Sequence, residues 1–388
     1  MFYYLGLEPY PDRYTYQLTE WARKALVAWG GDFKIVAGQQ LATTISVGVV
    51  LDAFGRTHYS TTQLAELIKM LRENGTSSDD VIFFEDMFTP GIESLGYIFD
   101  QLPRGKKPRV FVRCLAQSID PDDFVCYTGM SRWMRNYENM VCGFVDAVLC
   151  SSEEMVAHAK ISWNLGSVAL YNISGLTFDA EEVRSYTPTK SFFGRPRVVS
   201  FSSRWDAEKQ PDFYAAVIRR VKEIAPETEF RLLQGGPLKS NDPSYVDLAN
   251  TLSSQGLLTL RCNLTKKEYY ENLATTRVLF NCALQDWVSN TASEADALGC
   301  NLVYPAYRSF PEILDNDPAR LYVPWSVDDA VEKVFRALEA PQENVGELSK
   351  HTSATMERIL SIIYGDPLEL NRNSVTYRKW ASTGRRKQ

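Results

Sequence analysis

Residues 198–209 read VVSFSSRWDAEK and residues 286–294 read DWVSNTASE, and these two stretches decide the fold of the chain. The first is an apolar run that ends in a polar turn carrying two cations, Arg204 and Lys209. The second places polar residues and two acids at the start of a helix rich in small residues. Between them, FRLLQGG at 230–236 repeats the pattern of an apolar run and a turn. Such a recurrence predicts an open α/β sheet, which presents ligands at the carboxyl ends of its strands.

The charges at these turns indicate the kind of ligand. Two fixed cations and the N-terminus of a helix suit a diphosphate, because backbone N–H groups and positive side chains both favour bound anions. If the diphosphate is a leaving group, preorganised cations also stabilise the negative charge that develops on it in the transition state. The alternative for Arg204 and Lys209 is a pair of solvated surface cations ahead of a helix.

These residues resemble the nucleotide-sugar half of the GT-B glycosyltransferases, nearest to the retaining group that includes sucrose and glycogen synthases. In that family an Arg and a Lys follow the first strand of the C-terminal domain, and Arg204 and Lys209 match them. The family also has two acids eight positions apart, and Asp286 and Glu294 keep that spacing. The chain departs from the family at Asp286, where Glu is usual, and at residues 289–291, which read SNT where glycine is common.

The resemblance implies a GT-B architecture, in which two doubly wound, Rossmann-like parallel-sheet domains face a cleft. It implies that Arg204 and Lys209 face the diphosphate, that Asp286 takes hydroxyls of the transferred sugar and that Glu294 takes the ribose hydroxyls. The same two acids have simpler explanations, since Asp286 can be a loop cap and Glu294 a helix N-terminal acid. The catalytic residues implied are Arg204, Lys209 and Asp286, and the donor-binding residues are Arg204, Lys209, Gly235, Gly236, Leu264, Ser289, Asn290, Thr291 and Glu294.

Length and composition fit a two-domain globular protein. The chain has 388 residues, of which 45% are hydrophobic and 23% charged, as in ordinary globular proteins. Its formal net charge of −6 does not favour binding to nucleic acid or to an anionic membrane. Seven Cys without a closely spaced pair and three scattered His predict reduced thiols and no metal site. We expect a cytoplasmic protein without stable membrane insertion, because no stretch is long and apolar enough to span a bilayer.

Apolar runs that alternate with helical patterns extend the same organisation towards the N-terminus. They predict strands at 2–7, 34–38, 80–84, 109–113 and 147–150, with helices at 15–29 and 61–73 between them. A stretch rich in Pro, Ser, Thr and Gly at 185–197 is predicted to link two sheets. The predicted domains are an acceptor domain at 1–185, a nucleotide-sugar domain at 186–350 and a helical segment at 351–388. That last segment is expected to cross back to the first domain and to end in a basic tail.

The acceptor-activating base is the least determined part of the site. Relatives often carry a His at the end of a middle strand of the first domain, and this chain has none there. A retaining front-face mechanism agrees with that absence, because the leaving phosphate can take the proton of the acceptor. An inverting mechanism needs a positioned carboxylate, for which Glu85, Asp86 and Asp120 are the candidates.

The acceptor itself is open to several hypotheses. Residues 127–137 interleave aromatic side chains with Arg132 and Arg135, and helical spacing puts Met130, Trp133, Met134 and Tyr137 near one face, which favours an ordinary core face. The functional alternative uses Arg132, Trp133 and Arg135 to contact an acceptor, with double-stranded DNA carrying hydroxymethylated pyrimidines as our best guess. That guess draws on a further similarity, to phage DNA α-glucosyltransferases of this fold.

Two other hypotheses about the function remain open. One is transfer to a polysaccharide or a small molecule, and the other is a non-catalytic GT-B-like protein that only binds nucleotide. In each catalytic case we expect a nucleotide-diphosphate sugar, most simply a UDP-sugar, as co-substrate and no further cofactor.

Overall fold

The computed structural model describes residues 1–10, 13–41, 52–118, 120–284 and 286–365. The predicted basic tail at 377–388 lies outside these residues, as do parts of the loops after the first two strands. Within the described residues, the strands form two separate six-stranded sheets, and every strand pairing in them is parallel. This confirms the two doubly wound α/β domains predicted from the sequence.

The first sheet has the strand order β2-β1-β3-β4-β5-β6. Its strands are β1 (Phe2–Leu5), β2 (Phe33–Val36), β3 (Val81–Phe84), β4 (Arg109–Arg113), β5 (Ala147–Cys150) and β6 (Ala169–Asn172). The central strands β1, β3 and β5 are buried along their whole length, as expected of a parallel sheet covered on both faces. The accompanying helices are α1 (Tyr14–Trp29), α2 (Ala53–Asn74), α3 (Glu93–Asp100), α4 (Phe124–Tyr127), α5 (Ser131–Cys142), α6 (Glu153–Ser162) and α7 (Ala180–Ser185).

The second sheet has the order β12-β11-β10-β7-β8-β9. Its strands are β7 (Val198–Phe201), β8 (Glu229–Leu233), β9 (Thr259–Arg261), β10 (Val278–Phe280), β11 (Asn301–Pro305) and β12 (Leu321–Tyr322). The helices that follow are α8 (Pro211–Ile224), α9 (Pro243–Ser254), α10 (Lys266–Ala274), α11 (Asn290–Ala297), α12 (Phe310–Ile313), α13 (Val327–Glu339), α14 (Glu347–Ser353) and α15 (Thr355–Tyr364). In this sheet β8 lies on one side of β7 and β10 lies on the other, so the strand order reverses between β7 and β10.

The end of the described chain returns to the first domain. Apolar side chains of α15, including Met356 and Ile359, belong to the same buried cluster as Phe2 and Tyr4 of β1. The rings of Phe2 and Tyr364 are 6.4 Å apart, and the Arg109 guanidinium donates to the carbonyl oxygen of Ile363 at 2.7 Å. The last helix therefore completes the core beneath the first sheet.

Candidate functional site

The loops that follow β7 and β10 meet where the strand order of the second sheet reverses. Ligands of open α/β sheets bind at such a switch point, because the two neighbouring loops diverge and leave a crevice. The backbone N–H of Leu284 donates to the carbonyl oxygen of Glu208 at 2.8 Å, and the Gln210 side chain donates to the carbonyl oxygen of Cys282. These bonds hold the turn carrying Arg204 and Lys209 against the turn carrying Asp286.

Lys209 and Asp286 face each other across this junction. The Lys209 Nζ lies 3.8 Å from Asp286 Oδ1, and the two side chains are 8% and 25% exposed. Burial raises the pKa of Asp286, and the positive charges of Lys209 and Arg204 oppose that rise. The structure therefore brings together the three residues to which the resemblance assigns the catalytic roles.

Arg204 is the more exposed of the two cations. Its guanidinium contacts Glu208 at 2.5 Å and Asp206 at 3.6 Å, and its side chain is 47% exposed. Glu208 and Asp206 are only 9% and 7% exposed, so the contact is partly buried and leaves the exposed side of the guanidinium accessible to an anionic ligand. The neighbouring Trp205 is fully buried and donates to the carbonyl oxygen of Tyr245 at 2.7 Å, which anchors the turn in the core.

The N-terminus of α11 lies directly after Asp286. Ser289 caps this helix by accepting from the backbone N–H of Ala292 at 3.3 Å, and its hydroxyl also lies 3.0 Å from Thr291 Oγ1 and 3.2 Å from the Tyr304 hydroxyl. The first turn of a helix directs backbone N–H groups outward from its end. Asn290 and Thr291 begin this turn, so the helix adds donors to the cations of the neighbouring turn.

Glu294 is buried under two tyrosines that the sequence analysis did not single out. The hydroxyls of Tyr269 and Tyr270 donate to its two carboxylate oxygens at 3.0 and 2.9 Å, and the Lys266 ammonium lies 3.5 Å away. Tyr270 in turn accepts from the Gln17 amide of α1 at 3.1 Å, which is a contact between the two domains. Because the contacts lie 24 and more positions apart in the chain, no local pattern could have predicted them.

Gly235, Gly236 and Leu264 lie in the turns that follow β8 and β9, beside the turn that carries Arg204. Leu264 N–H donates to the carbonyl oxygen of Gln234 at 3.1 Å, and the Gln234 side chain donates to the carbonyl oxygen of Ser203 at 3.2 Å. A Cβ at Gly235 would meet only Leu264 O, at an ordinary 3.6 Å, and neither glycine has a positive φ. The structure thus shows no conformational need for glycine at position 235.

The predicted carboxylate bases of the first domain already have partners. Glu85 is fully buried, pairs with the Arg113 guanidinium and accepts from the Tyr4 hydroxyl at 2.8 Å. Asp86 pairs with Arg56 at 3.3 Å, and burial raises its pKa to about 6.

Asp120 is buried as well and pairs with Arg308 of the second domain at 3.0 Å. Since Glu85 exposes none of its surface, an acceptor hydroxyl has no access to it in this conformation.

Arg132, Trp133 and Arg135 lie on the outer surface of α5. Both arginines are exposed, and the Trp133 side chain is 52% exposed. The placement of Trp133 on a core face was therefore wrong, although Met134 and Tyr137 are buried as that pattern predicts. Trp133 stacks on Tyr137 at 5.5 Å between ring centroids and meets Phe88, in the loop after β3, edge-on at 5.7 Å. Tyr137 occupies the apolar position beneath, which leaves the larger indole outside.

Within the described residues, no group of three or more His, Cys, Asp or Glu side chains could hold a metal ion. The same residues include no helix that is long and apolar enough to cross a membrane.

No protein-family profile matches the chain, and no curated protein matches it at the level of sequence. Solved structures do match it. The sucrose-phosphate synthase of Thermosynechococcus elongatus superposes with a TM-score of 0.61 at 13% identity, covering 98% of this chain and 99% of that one. The UDP-forming α,α-trehalose-phosphate synthase of Burkholderia xenovorans, solved with glucose-6-phosphate, gives 0.60 at 14% identity, covering 94% and 100%.

A third structure is the pneumococcal O-GlcNAc transferase GtfA in complex with UDP and GlcNAc. It gives a TM-score of 0.52 at 13% identity and covers 81% of this chain and 61% of that one. At these identities the likeness concerns the fold. The chain therefore has the GT-B fold of nucleotide-sugar glycosyltransferases.

Proposed function

We propose that the protein transfers a sugar from a nucleotide-diphosphate donor to an acceptor hydroxyl. The observation that carries this proposal is the convergence of Lys209, Asp286 and Arg204 at the switch point of the second sheet, beside the N-terminus of α11. Cations and helix N–H groups at that place match a departing diphosphate. The likeness to GT-B enzymes along nearly the whole chain supports the same reaction.

The proposed roles are those that the resemblance implies, and the positions of the side chains support them. Lys209 is held beside Asp286, where it stabilises charge on the diphosphate, and Arg204 turns from Glu208 to the same phosphates. Asp286 accepts from hydroxyls of the transferred sugar, and Glu294 accepts from the ribose in competition with the tyrosine hydroxyls. Two cations make a metal ion unnecessary for charge compensation, so we expect turnover to continue in excess EDTA.

A UDP-sugar is the donor that we propose, and retention is the proposed stereochemical course. The names of two structural neighbours include UDP or UDP-forming chemistry, which supports this choice of nucleotide. Retention is supported by the first domain, where Glu85, Asp86 and Asp120 are all paired with arginines. A leaving phosphate that takes the acceptor proton makes a free carboxylate base unnecessary.

The acceptor we propose first is a hydroxymethylated pyrimidine in DNA. It is favoured by the exposure of Arg132, Trp133 and Arg135 on one helix, next to the loop that follows β3. Exposed arginines can contact phosphates, and an exposed indole can stack on an extruded base. A small-molecule acceptor is the competing proposal, and it is favoured by the glucose-6-phosphate bound in the neighbour from Burkholderia.

The donor site is tested by binding and by turnover. A thermal-shift panel of nucleotide sugars, followed by calorimetry, should identify a donor, and Glu294→Gln should lower its affinity about tenfold, because one charge-assisted hydrogen bond is lost. Glu271→Gln, at a more exposed position on α10, is the matched control and should bind normally. Equal affinity in both variants would remove Glu294 from the site. Binding of nucleotide without any release of diphosphate from a sugar donor would favour a non-catalytic protein.

The acceptor is tested separately. We expect sugar transfer to DNA containing hydroxymethylcytosine or hydroxymethyluracil, and loss of duplex binding when Arg132 and Arg135 are both replaced by Ala. Arg219 and Arg220, exposed on α8, provide a control pair with the same change of charge. Transfer to glycans or sugar phosphates but to no modified DNA would contradict the DNA proposal and leave glycosyl transfer intact.

A further inference from the structure

One loop of the second domain, after β11, inserts a cation into a group of acids on the first domain. The Arg308 guanidinium contacts Asp120 at 3.0 Å, Asp122 at 3.0 Å and Glu154 at 3.3 Å, and its side chain is only 11% exposed. Its backbone has a positive φ of 54°, which a residue other than glycine seldom adopts. A buried cation of this kind requires its partners, because removing one side of a buried pair leaves the other charge uncompensated.

The short helix α12, which follows this loop, supplies an anion to the first domain four positions after Arg308. Both carboxylate oxygens of Glu312 accept from the backbone N–H of Glu153, at 3.0 and 2.8 Å, and one accepts from the Asn172 amide at 2.7 Å. Glu153 is the first residue of α6, so Glu312 places a negative charge on a helix N-terminus, where the helix dipole stabilises it. The second domain thus contributes one positive charge, on Arg308, and one negative charge, on Glu312, to its contact with the first domain.

This loop is also bonded to the loop that carries Asp286. Ser309 Oγ donates to the carbonyl oxygen of Asp286 at 2.7 Å, and Arg308 Nε donates to the carbonyl oxygen of Leu284 at 3.2 Å. Trp287 packs into the apolar core of the first domain, with its ring 5.0 Å from that of His158 and 5.9 Å from the Arg308 guanidinium carbon. If the first domain moved away from Arg308, the loop that carries Asp286 would therefore be displaced directly.

The contact between the two domains also buries two polar atoms that have no hydrogen-bond partner among the described residues. These atoms are Asp120 Oδ2 and Trp287 Nε1. Each such group loses hydration without compensation when the domains close, which offsets part of the gain from the ion pairs. Because the unfavourable loss of hydration offsets part of the favourable ion pairing, the contact is suited to opening for a donor and closing again.

We infer that Arg308 and Glu312 are positioning residues, which hold the first domain closed against the loop of Asp286 and thereby fix the Asp286 carboxylate for sugar transfer. The effect on transfer rests on the proposed function. The effect on domain closure does not, because it follows from the contacts alone.

The test compares Arg308→Met with Arg336→Met in the full chain. Both changes remove one arginine from the second domain, but Arg336 is 71% exposed on α13 and, within the described part of the chain, forms an ion pair only with its helix neighbour Glu332. We expect Arg308→Met to increase the radius of gyration in small-angle X-ray scattering and to speed amide hydrogen exchange in the peptide 286–297. Glu312→Gln should have the same effects, whereas Arg336→Met and Glu332→Gln should have neither.

Turnover provides the readout specific to positioning. At saturating donor, Arg308→Met should lower kcat by about tenfold or more. Nucleotide affinity should change less, since the described contacts of Arg308 reach the loop of Asp286 but none of the residues proposed to bind the nucleotide. Arg308→Lys keeps the charge but not the fork of donors, and should recover part of the loss.

An unchanged scattering profile and exchange rate in Arg308→Met would overturn the inference, whatever the activity. An opened protein with unchanged kcat would overturn the positioning role. If the wild-type chain transferred no sugar at all, the proposed function would fail while scattering and exchange still decided the closure.

Discussion

Lys209 and Asp286 form the contact on which the proposed chemistry depends most directly. Both residues were identified from the sequence, by their spacing and by the family resemblance. The sequence could not predict the 3.8 Å distance between Lys209 Nζ and Asp286 Oδ1, nor the burial that raises the pKa of Asp286. The residues that sequence analysis missed share one property. Tyr269, Tyr270 and Arg308 act through partners far away in the chain, and their local patterns are those of an ordinary helix and an ordinary loop.

Replacing Lys209 by Met keeps the length of the side chain and removes its charge. We expect kcat to fall about a hundredfold, as when one preorganised donor to a developing anion is lost, while the fold persists. Lys267→Met, at a 68% exposed position on α10, should keep wild-type turnover. Single-turnover kinetics with the identified UDP-sugar measure both, and a Lys209→Met enzyme as fast as its control would refute the assignment.

Asp123 gives a pH dependence of stability with a defined sign. Burial raises its pKa to about 7, whereas an aspartate in an unfolded chain ionises near pH 3.9. Between these values the folded protein holds a proton that the unfolded chain has released, so folding is linked to proton uptake. The contribution of Asp123 to the free energy of unfolding should therefore be about 1 kcal/mol larger at pH 6 than at pH 8.

Urea titrations at the two pH values measure this difference. Asp123→Asn keeps the oxygen that accepts from Val125 N–H at 2.9 Å and should flatten the pH dependence. Asp79→Asn, at an exposed position before β3, should leave it as in the wild type. The same slope in all three proteins would show that Asp123 is already ionised at pH 6.

At the scale of elements, buried strands were predicted well and marginal ones were not. The apolar runs at 80–84, 109–113 and 147–150 coincide with β3, β4 and β5 to within a residue, because strands covered on both faces are apolar throughout. β6 is only half-buried and β9 spans three residues, so neither carries a clear pattern. α2 begins eight residues before its predicted start at 61, since its first turns lack a regular apolar face.

Helix capping at α11 yields a prediction that separates stability from binding. Ser289 caps α11 and Ser326 caps α13, where it accepts from Asp329 N–H at 3.3 Å. Replacing either serine by Ala should lower the free energy of unfolding by about 1 kcal/mol. Only Ser289→Ala should also weaken UDP binding in calorimetry, because only α11 begins at the proposed phosphate site. Equal UDP affinity in the two variants would place the nucleotide away from this helix.

At the scale of the whole molecule, two α/β units were predictable from the restart of the pattern at Val198. The contacts between them were not. Arg308, Glu312 and Gln17 reach across the cleft to partners in the other domain, and no periodicity within either domain reports such contacts. The last described helix, α15, has apolar side chains beneath the first sheet, whereas residues 366–388 of the segment predicted to cross back lie outside the described residues.

Substitution of Ile359 tests how much the stability of the first domain depends on the packing of α15. It is fully buried in α15, so Ile359→Ala should lower the free energy of unfolding by about 2–5 kcal/mol. Amides of β1 and β3 should lose protection from hydrogen exchange, whereas those of β7 and β10 should keep theirs. Ile161→Ala, at a position 83% exposed on α6, should change neither. Equal loss of protection in both sheets would mean that the two domains unfold as one unit.

The packing of Tyr364 beside Phe2 has a consequence for biosynthesis. A ribosome delivers β1 first and α15 only after the entire second domain has emerged. Until then the apolar face around Phe2, Tyr4 and Phe83 has the cover of α1 but lacks that of α15, and a partly exposed apolar face on a nascent chain promotes association with other chains. The described strands of the second domain lie between 198 and 322, so its sheet can form before α15 covers the sheet of the first domain. Translation thus begins the first domain earlier and finishes it later.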